Sequence, residues 1–176
     1  MSDLAPLIVE PPAETKTAVA ETLEGLEVQL ASVHAITAEA YASQGDYENA
    51  HKHVEIAVQM QPDDPRYQNQ VGYLRYLTGD DGGAVRAFCK VIDAIPDQVD
   101  AICNLGMVFF GLENWAEAKE WFTRAAQIQP NDAEIWNNLG AAIFQCGSPQ
   151  QAVPYFRKAL EIDPHNEDAK ANLASC

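Results

Sequence analysis

The sequence predicts an all-α protein in which antiparallel helix pairs stack into a solenoid. A pattern of large and small residues recurs with a period of about 34 residues, and a proline closes each unit. Most units are also divided in two by a glycine in a short polar segment. Periods of about 20 to 50 residues are typical of repeat proteins, in which each unit buries its apolar face only against its neighbours. We therefore expect a row of similar helix–turn–helix units.

The register of the repeat follows from residues 133–164, AEIWNNLGAAIFQCGSPQQAVPYFRKALEIDP. Successive steps of one period superimpose a small residue in the first half of each unit, namely Gly140, Gly106, Gly72 and Ala38. The same steps superimpose a small residue in the second half, Ala152, Ala118, Ala84 and Ala50, and a closing proline, Pro164, Pro130, Pro96 and Pro62. The four copies contain no insertion.

Each of these positions has a physical reason. Small residues let the first helix of a unit lie close against the second. A proline cannot continue the backbone hydrogen-bond ladder, so it should end the second helix. Gly45, Gly79 and Gly147 mark the turns between helices, because glycine readily takes the left-handed conformation at a helix end. Glu113 replaces this glycine in the third unit, so we expect that turn to be the least regular.

The pattern resembles the tetratricopeptide repeat family over residues 31–164. This resemblance implies a right-handed superhelix of antiparallel helix pairs. The predicted organisation is an extended or disordered arm (1–12), an N-terminal capping helix (13–30), four repeats (31–64, 65–98, 99–132 and 133–166), and a C-terminal capping helix or truncated fifth repeat (167–176).

Composition and charge exclude several function classes. A chain of 176 residues that is 47% hydrophobic and 21% charged is typical of one folded domain. The net charge of −15 argues against nucleic-acid binding, and indicates either simple solubility or a basic partner. The start of the chain lacks the features of a secretory signal, and no apolar run approaches the roughly 20 residues of a membrane span. We therefore expect a cytoplasmic protein.

No catalytic or metal-binding constellation is present in the sequence. The four cysteines include no CxxC pair, so neither a zinc site nor a disulfide framework is indicated. His51 and His53 are two residues apart, which on a helix directs them to different faces. His34 occupies the position of Trp136 and is expected in the core or at its boundary. We predict no enzymatic activity, no cofactor and no metal.

One face of the first helices is predicted to bind a partner. It carries amides one repeat apart, Gln70, Asn104, Asn138 and Asn172, and aromatic residues at the same spacing, Tyr76, Phe110 and Phe144. The amides resemble the asparagine ladder of some tetratricopeptide domains, which would bind a peptide backbone; alternatively, they bond within the repeats. The aromatic row would anchor side chains or pack between repeats. The remaining candidates on this face are Arg66, Asn69, Tyr73, Cys103, Met107 and Asn137.

These features predict a non-catalytic adaptor that binds an extended or helical segment of a partner protein in its concave groove. Some domains of the family that this sequence resembles bind the acidic tail of a partner with lysine and arginine on this face. That ligand is disfavoured here, because Ala35, Glu39 and Cys103 occupy those places and only Arg66 is basic. Two alternatives are open. One is a type III secretion-type chaperone for a translocator protein, because the segment PDDPRY (62–67) resembles a segment of such chaperones. The other is an adaptor domain of a larger enzyme, such as a glycosyltransferase. We expect a monomer or weak self-association. The apolar segment 4–12 is either a disordered tail or an arm that docks on a repeat surface, of its own chain or of a neighbouring molecule.

Overall fold

The computed structural model describes residues 13–176. Within this range the chain forms helices α1 to α9 and no strand: Ala13–Ser43, Tyr47–Met60, Pro65–Leu77, Asp81–Ala94, Val99–Gly111, Trp115–Ile128, Ala133–Gln145, Pro149–Ile162 and Glu167–Ala174. Consecutive helices pack on each other, and α3 also contacts α1 and α5, as α7 contacts α9. This confirms the predicted all-α solenoid. None of the helices in the described range combines the length and apolarity that a membrane span requires.

The helix ends are set by local sequence signals. The second helix of each pair stops two residues before a closing proline, at Met60, Ala94, Ile128 and Ile162. At the start of α2 and α4, the side chains of Asp46 and Asp80 accept hydrogen bonds from backbone N–H groups of the first turn. Such caps satisfy donors that have no partner inside the helix. The repeat period therefore appears as a period of helix boundaries.

Each of the four turns between paired helices contains one residue in the left-handed conformation. Gly45, Gly79 and Gly147 have φ angles of 78°, 81° and 80°, and Glu113 has a φ of 58°. The Asn114 N–H donates to the Phe109 carbonyl at 2.9 Å, as the Asp46 N–H donates to the Tyr41 carbonyl at 3.0 Å. The third turn thus keeps the hydrogen bond of the first, although Glu113 differs from the three glycines in φ by about 20°, as its sequence suggested. The hydrogen bonds and the packed helices impose the turn, so Glu113 is held in a left-handed conformation that costs a side-chain-bearing residue about 1–2 kcal/mol.

A glycine packed against a phenylalanine ring defines the centre of three repeats. A Cβ added at Gly72, Gly106 or Gly140 would lie 2.7, 2.7 or 2.6 Å from the ring of Phe88, Phe122 or Phe156, respectively. The nearest neighbours of these glycines are thus the rings, and not the small alanines that the sequence pattern suggested. The first repeat has Ala38 and Val54 instead, both buried. In the first repeat, alanine thus replaces the smaller glycine on the first helix, and valine replaces the larger phenylalanine on the second helix.

The N-terminal part of the described chain differs from the expectation. The predicted capping helix and the first helix of the first repeat are one continuous helix, α1, because no proline or helix cap interrupts the sequence near residue 30. Residues 17–30 are all exposed, so this part of α1 extends past the first repeat instead of covering it. Residues 1–12, with the segment expected to dock on a repeat, lie outside the described residues.

The C-terminal helix α9 packs onto the last repeat. Ala169 is fully buried in a cluster with Ala133 and Ala159, and Leu173 packs against the main core. The helix therefore occupies the place that the first helix of a following repeat would take.

Substitution of Gly106 tests the contact between helices of a pair. We expect Gly106→Ala to lower the free energy of unfolding by about 1–3 kcal/mol, because the new methyl group overlaps the Phe122 ring. The matched control is Gly25→Ala in α1, where an added Cβ meets nothing within 4 Å. The free energy of unfolding of this control should rise by about 0.5–1 kcal/mol, because alanine has a higher helix propensity than glycine. Urea unfolding followed by circular dichroism measures both, and equal effects would contradict the proposed contact.

A double substitution tests whether the first repeat shows a compensated version of the same contact. Gly106→Ala combined with Phe122→Val recreates the Ala38–Val54 pair in the third repeat. The smaller side chain makes room for the methyl group, so the double variant should be destabilised by less than the sum of the single variants. Additive losses would show that the two positions do not interact.

Replacement of Glu113 tests the strain in the third turn. Glu113→Gly should raise the free energy of unfolding by about 1 kcal/mol, because glycine adopts the left-handed conformation without steric cost. Glu113→Ala removes the same charge without relieving the strain and should give no comparable gain. Thermal melting of both variants distinguishes relief of strain from loss of the carboxylate.

Candidate peptide-binding groove

A row of four connected pockets runs along the first helices of the pairs. Their volumes, from the N-terminal to the C-terminal end, are about 170, 390, 280 and 190 Å³. Tyr73 lines the first two pockets, Asn138 the second and third, and Phe110 and Asn172 the third and fourth. We call this row the groove. It is formed mainly by α1, α3, α5, α7 and α9, so it follows from the repeat register that stacks these helices.

Three of the four predicted ladder amides are bonded to the preceding repeat. The Asn104 Nδ2 donates to Asn69 Oδ1 at 3.3 Å, and the Asn172 Nδ2 donates to Asn137 Oδ1 at 2.9 Å. Gln70 Nε2 donates to the Glu39 carboxylate and, at 3.4 Å, to the Ala35 carbonyl. The donors of these amides therefore join neighbouring repeats, and in Asn104 and Asn172 the carbonyl oxygens keep their acceptor capacity.

Asn138 is different from the other members of the ladder. Each bonded asparagine pairs with an asparagine of the preceding repeat, and Cys103 holds the equivalent position before Asn138. Across residues 13–176 the Asn138 side chain makes no hydrogen bond, and it lines the two central pockets. It offers both an N–H donor and a carbonyl acceptor to the groove.

The predicted aromatic candidates fall into two groups. Tyr76, Phe110 and Phe144 are half-buried and pack against the main core, and Phe110 makes an edge contact with Trp115 at a centroid distance of 4.9 Å. Tyr73 and Met107 are more open, with 46% and 37% of their surfaces exposed. The first group mainly supports the stack of repeats, whereas the second presents apolar surface to the groove.

Apart from Tyr73 and Cys103, the ionisable side chains that line the groove are aspartates and glutamates. Its described lining includes Glu39, Asp100, Asp132, Glu134 and Asp168, and no lysine or arginine. The predicted candidate Arg66 lies outside the lining and binds Asp64, with its Nη2 2.6 Å from Asp64 Oδ2. This hydrogen bond also lowers the pKa of the Asp64 carboxyl. The groove thus presents negative charge that no basic side chain in its lining neutralises.

The sequence placed Asp100 and Glu134 on the predicted concave face, but none of these carboxylates was among the side chains predicted to bind. The signal was present, because Asp100, Glu134 and Asp168 also lie one repeat apart. Acidic residues are frequent in this chain, which hid a column that has the same spacing as the amides.

Cys103 lies in the acidic pocket beside Asp100 and Asp132. Burial, with smaller contributions from the neighbouring carboxylates, raises the pKa of its thiol to about 12. The thiol is therefore protonated at neutral pH.

The histidines form a packing contact. His34 Nδ1 lies 2.8 Å from His53 Nδ1, and the His53 ring stacks on Tyr41 at 5.5 Å. The predicted boundary position of His34 thus joins α1 to α2. Within residues 13–176, no three histidine, cysteine or carboxylate side chains are grouped to hold a metal ion.

Comparison with known proteins agrees with this architecture. Family models described as tetratricopeptide repeat match residues 37–99, 99–132 and 133–166. Comparison with curated proteins finds no significant sequence match.

Several solved structures have the same fold. One is pilF of Pseudomonas aeruginosa, with 18% identity, a TM-score of 0.79, and coverage of 85% of this chain and 68% of that one. A thermophilic TPR protein of Thermus thermophilus has 16% identity, a TM-score of 0.74, and coverage of 82% and 80%. A chain of the APC/C hetero-tetramer Cut9–Hcn1 has 16% identity and a TM-score of 0.74, with coverage of 81% of this chain and 29% of that one.

The three family matches together span residues 37–166, and the fold of these relatives is the fold described above. The chain belongs to the tetratricopeptide repeat family, which supports a role in protein–protein interaction.

Proposed function

We propose that this protein is a non-catalytic adaptor whose groove binds an extended, positively charged segment of a partner protein. The observation that carries the proposal is the charge of the groove, which is lined by carboxylates and by no lysine or arginine among the described residues. Carboxylates that line a cleft attract basic partners and speed their association.

The unbonded polar atoms of the groove support recognition of a peptide backbone. Asn138 has a free donor and acceptor between the two central pockets, and Asn104 and Asn172 keep acceptor capacity after bonding to the previous repeat. A backbone presents alternating N–H and C=O groups, so these amides can bind it whatever its side chains are.

The exposed apolar side chains supply anchoring positions between the charges. Tyr73 lies between the first two pockets, and Met107 lines the third. Aromatic residues and methionine are enriched where proteins bind one another. A segment with alternating basic and apolar side chains suits this surface.

The state of Cys103 supports a binding role over nucleophilic catalysis. A thiol attacks as the thiolate, and this thiol, raised in pKa to about 12, stays protonated at neutral pH. The secretion-chaperone role, the larger-enzyme role and the cytoplasmic location stay predictions from the sequence.

Charge removal in the groove tests the proposed partner class. Fluorescence anisotropy would measure binding of a labelled peptide of alternating lysine and alanine, with a glutamate–alanine peptide as the control ligand. The basic peptide should bind, with an affinity that falls as salt rises. Asp100→Asn with Glu134→Gln should weaken it about tenfold or more. The matched variant Glu117→Gln with Glu120→Gln removes the same charge from exposed positions on α6 and should bind normally. An equal loss of affinity in both double variants would show that binding depends on the net charge of the protein and not on the carboxylates of the groove.

Substitution of the amides separates binding from stability. Asn138→Ala should leave the melting temperature unchanged, because its side chain has no partner in the described fold. The substitution should lower the affinity for the basic peptide about 2- to 12-fold, which corresponds to the loss of one hydrogen bond of about 0.5–1.5 kcal/mol. Asn104→Ala should lower the melting temperature, since it removes the bond to Asn69. An Asn138→Ala variant that binds normally would remove this residue from the site.

Thiol labelling tests the chemical state of the groove. At pH 8 about one Cys103 thiol in ten thousand should be ionised, given a pKa of about 12. Iodoacetamide should therefore modify the exposed Cys146 long before Cys103. Labelling of Cys103 should accelerate about tenfold for each pH unit above pH 8, because the thiolate fraction rises by that factor below the pKa. Peptide mass spectrometry measures both rates, and equal rates at pH 8 would contradict a half-buried, protonated thiol.

A further inference from the structure

The first helix of each repeat has one face that packs on the preceding repeat. The third residue of α3, α5 and α7 lies on this face, and these residues, Tyr67, Ala101 and Ile135, are 2%, 0% and 2% exposed. Tyr67 clusters with Ala31, Ala35 and Ala57 of the first repeat. Val33 holds the same position in α1, where no earlier repeat is described, and it is 56% exposed.

On α1 this open face continues towards the N-terminus as a stripe of apolar residues. The N-terminal stripe consists of Val19, Leu23, Leu26, Leu30 and Val33, which are 52%, 56%, 54%, 46% and 56% exposed. Their spacings of four, three, four and three residues are those of the seam in a coiled coil. From its first to its last residue the stripe extends ~21 Å along the helix.

The stripe is not used for packing inside the described chain. The buried residues of α1 that pack on α2 and α3 are Ala31, Ala35 and Ala38. At 100° per residue this alanine face lies on the order of 130° around the helix from the stripe. Within residues 13–176, no other helix therefore covers the stripe.

We propose that the N-terminal stripe is a self-association surface, at which α1 of a second copy of this chain packs along α1. The spacing of the stripe fits a helix as its occupant. Residues 1–12 contain Pro6, Pro11 and Pro12, which are incompatible with a helix interior, so this segment is a poor match.

The distribution of charge along α1 is compatible with a second copy. Glu21 and Glu24 point away from the seam, on the outer positions of the heptad. The positions that flank the seam are Ala20, Thr22, Glu27, Gln29, His34 and Ile36. In a parallel pair Glu27 of one copy lies beside Thr22 of the other, so no two carboxylates meet across the interface.

A pair of substitutions on α1 tests this surface. Sedimentation velocity of the full chain over a concentration series should show association of the wild type towards twice its mass of 19.3 kDa. Leu26→Glu places a charge in the seam and should restore the monomer. The matched control is Val28→Glu, two residues away on a different face and 39% exposed in the unchanged chain. This control should associate as the wild type does.

Three outcomes would overturn the proposal. The first is a wild type that is monomeric at several hundred micromolar, as expected if the stripe binds a helix of another protein. The second is loss of association in both Leu26→Glu and Val28→Glu, which would show that added charge is sufficient. The third is loss of association in Ile8→Glu but not in Leu26→Glu, which would assign self-association to the N-terminal segment. Circular dichroism of each variant checks that the fold is retained.

Discussion

In three of the four repeats, the distance between paired helices is fixed by one contact, a phenylalanine ring against the backbone of a glycine. The rings of Phe88, Phe122 and Phe156 lie so close to their glycines that an added methyl group would overlap them. Because interiors are packed as densely as organic crystals, such a contact permits one helix spacing and no other. Equal spacing in successive pairs aligns α3, α5 and α7, and this alignment places residues one repeat apart into columns. The groove, its amides and its carboxylates depend on that alignment.

The columns have two roles that compete for the same side chains. An amide at the ladder position can bond to the repeat before it or to a ligand, and Asn104 and Asn172 show the first use. Asn138 remains open because its neighbour in the previous repeat is Cys103 in place of an asparagine. A single exchange in one column thus changes what the next repeat presents to the groove. In a repeat protein, specificity can arise from such irregularities while the backbone stays regular.

Much of the fold could be predicted from the sequence because its signals are local. A proline ends a helix and a glycine permits a turn, and both appear where the period places them. Glu113 shows the limit, since the surrounding helices impose the turn without the residue that favours it. The candidate site was less predictable. Whether an amide is bonded or an aromatic ring is covered depends on a residue in the neighbouring repeat, and the helical period of one repeat does not contain that information.

The two ends of the described solenoid are covered differently. At the C-terminal end, α9 buries Ala169 and packs Leu173 on the core, so the last repeat has a neighbour. At the other end the corresponding face of α1 carries apolar residues and has no neighbour within residues 13–176. Each repeat gains its stability from the interfaces on both sides. The first repeat also lacks the glycine–phenylalanine contact of the other three. Covering the apolar face of α1 would stabilise this repeat. Association at that face is therefore coupled to the folding stability of the N-terminal end.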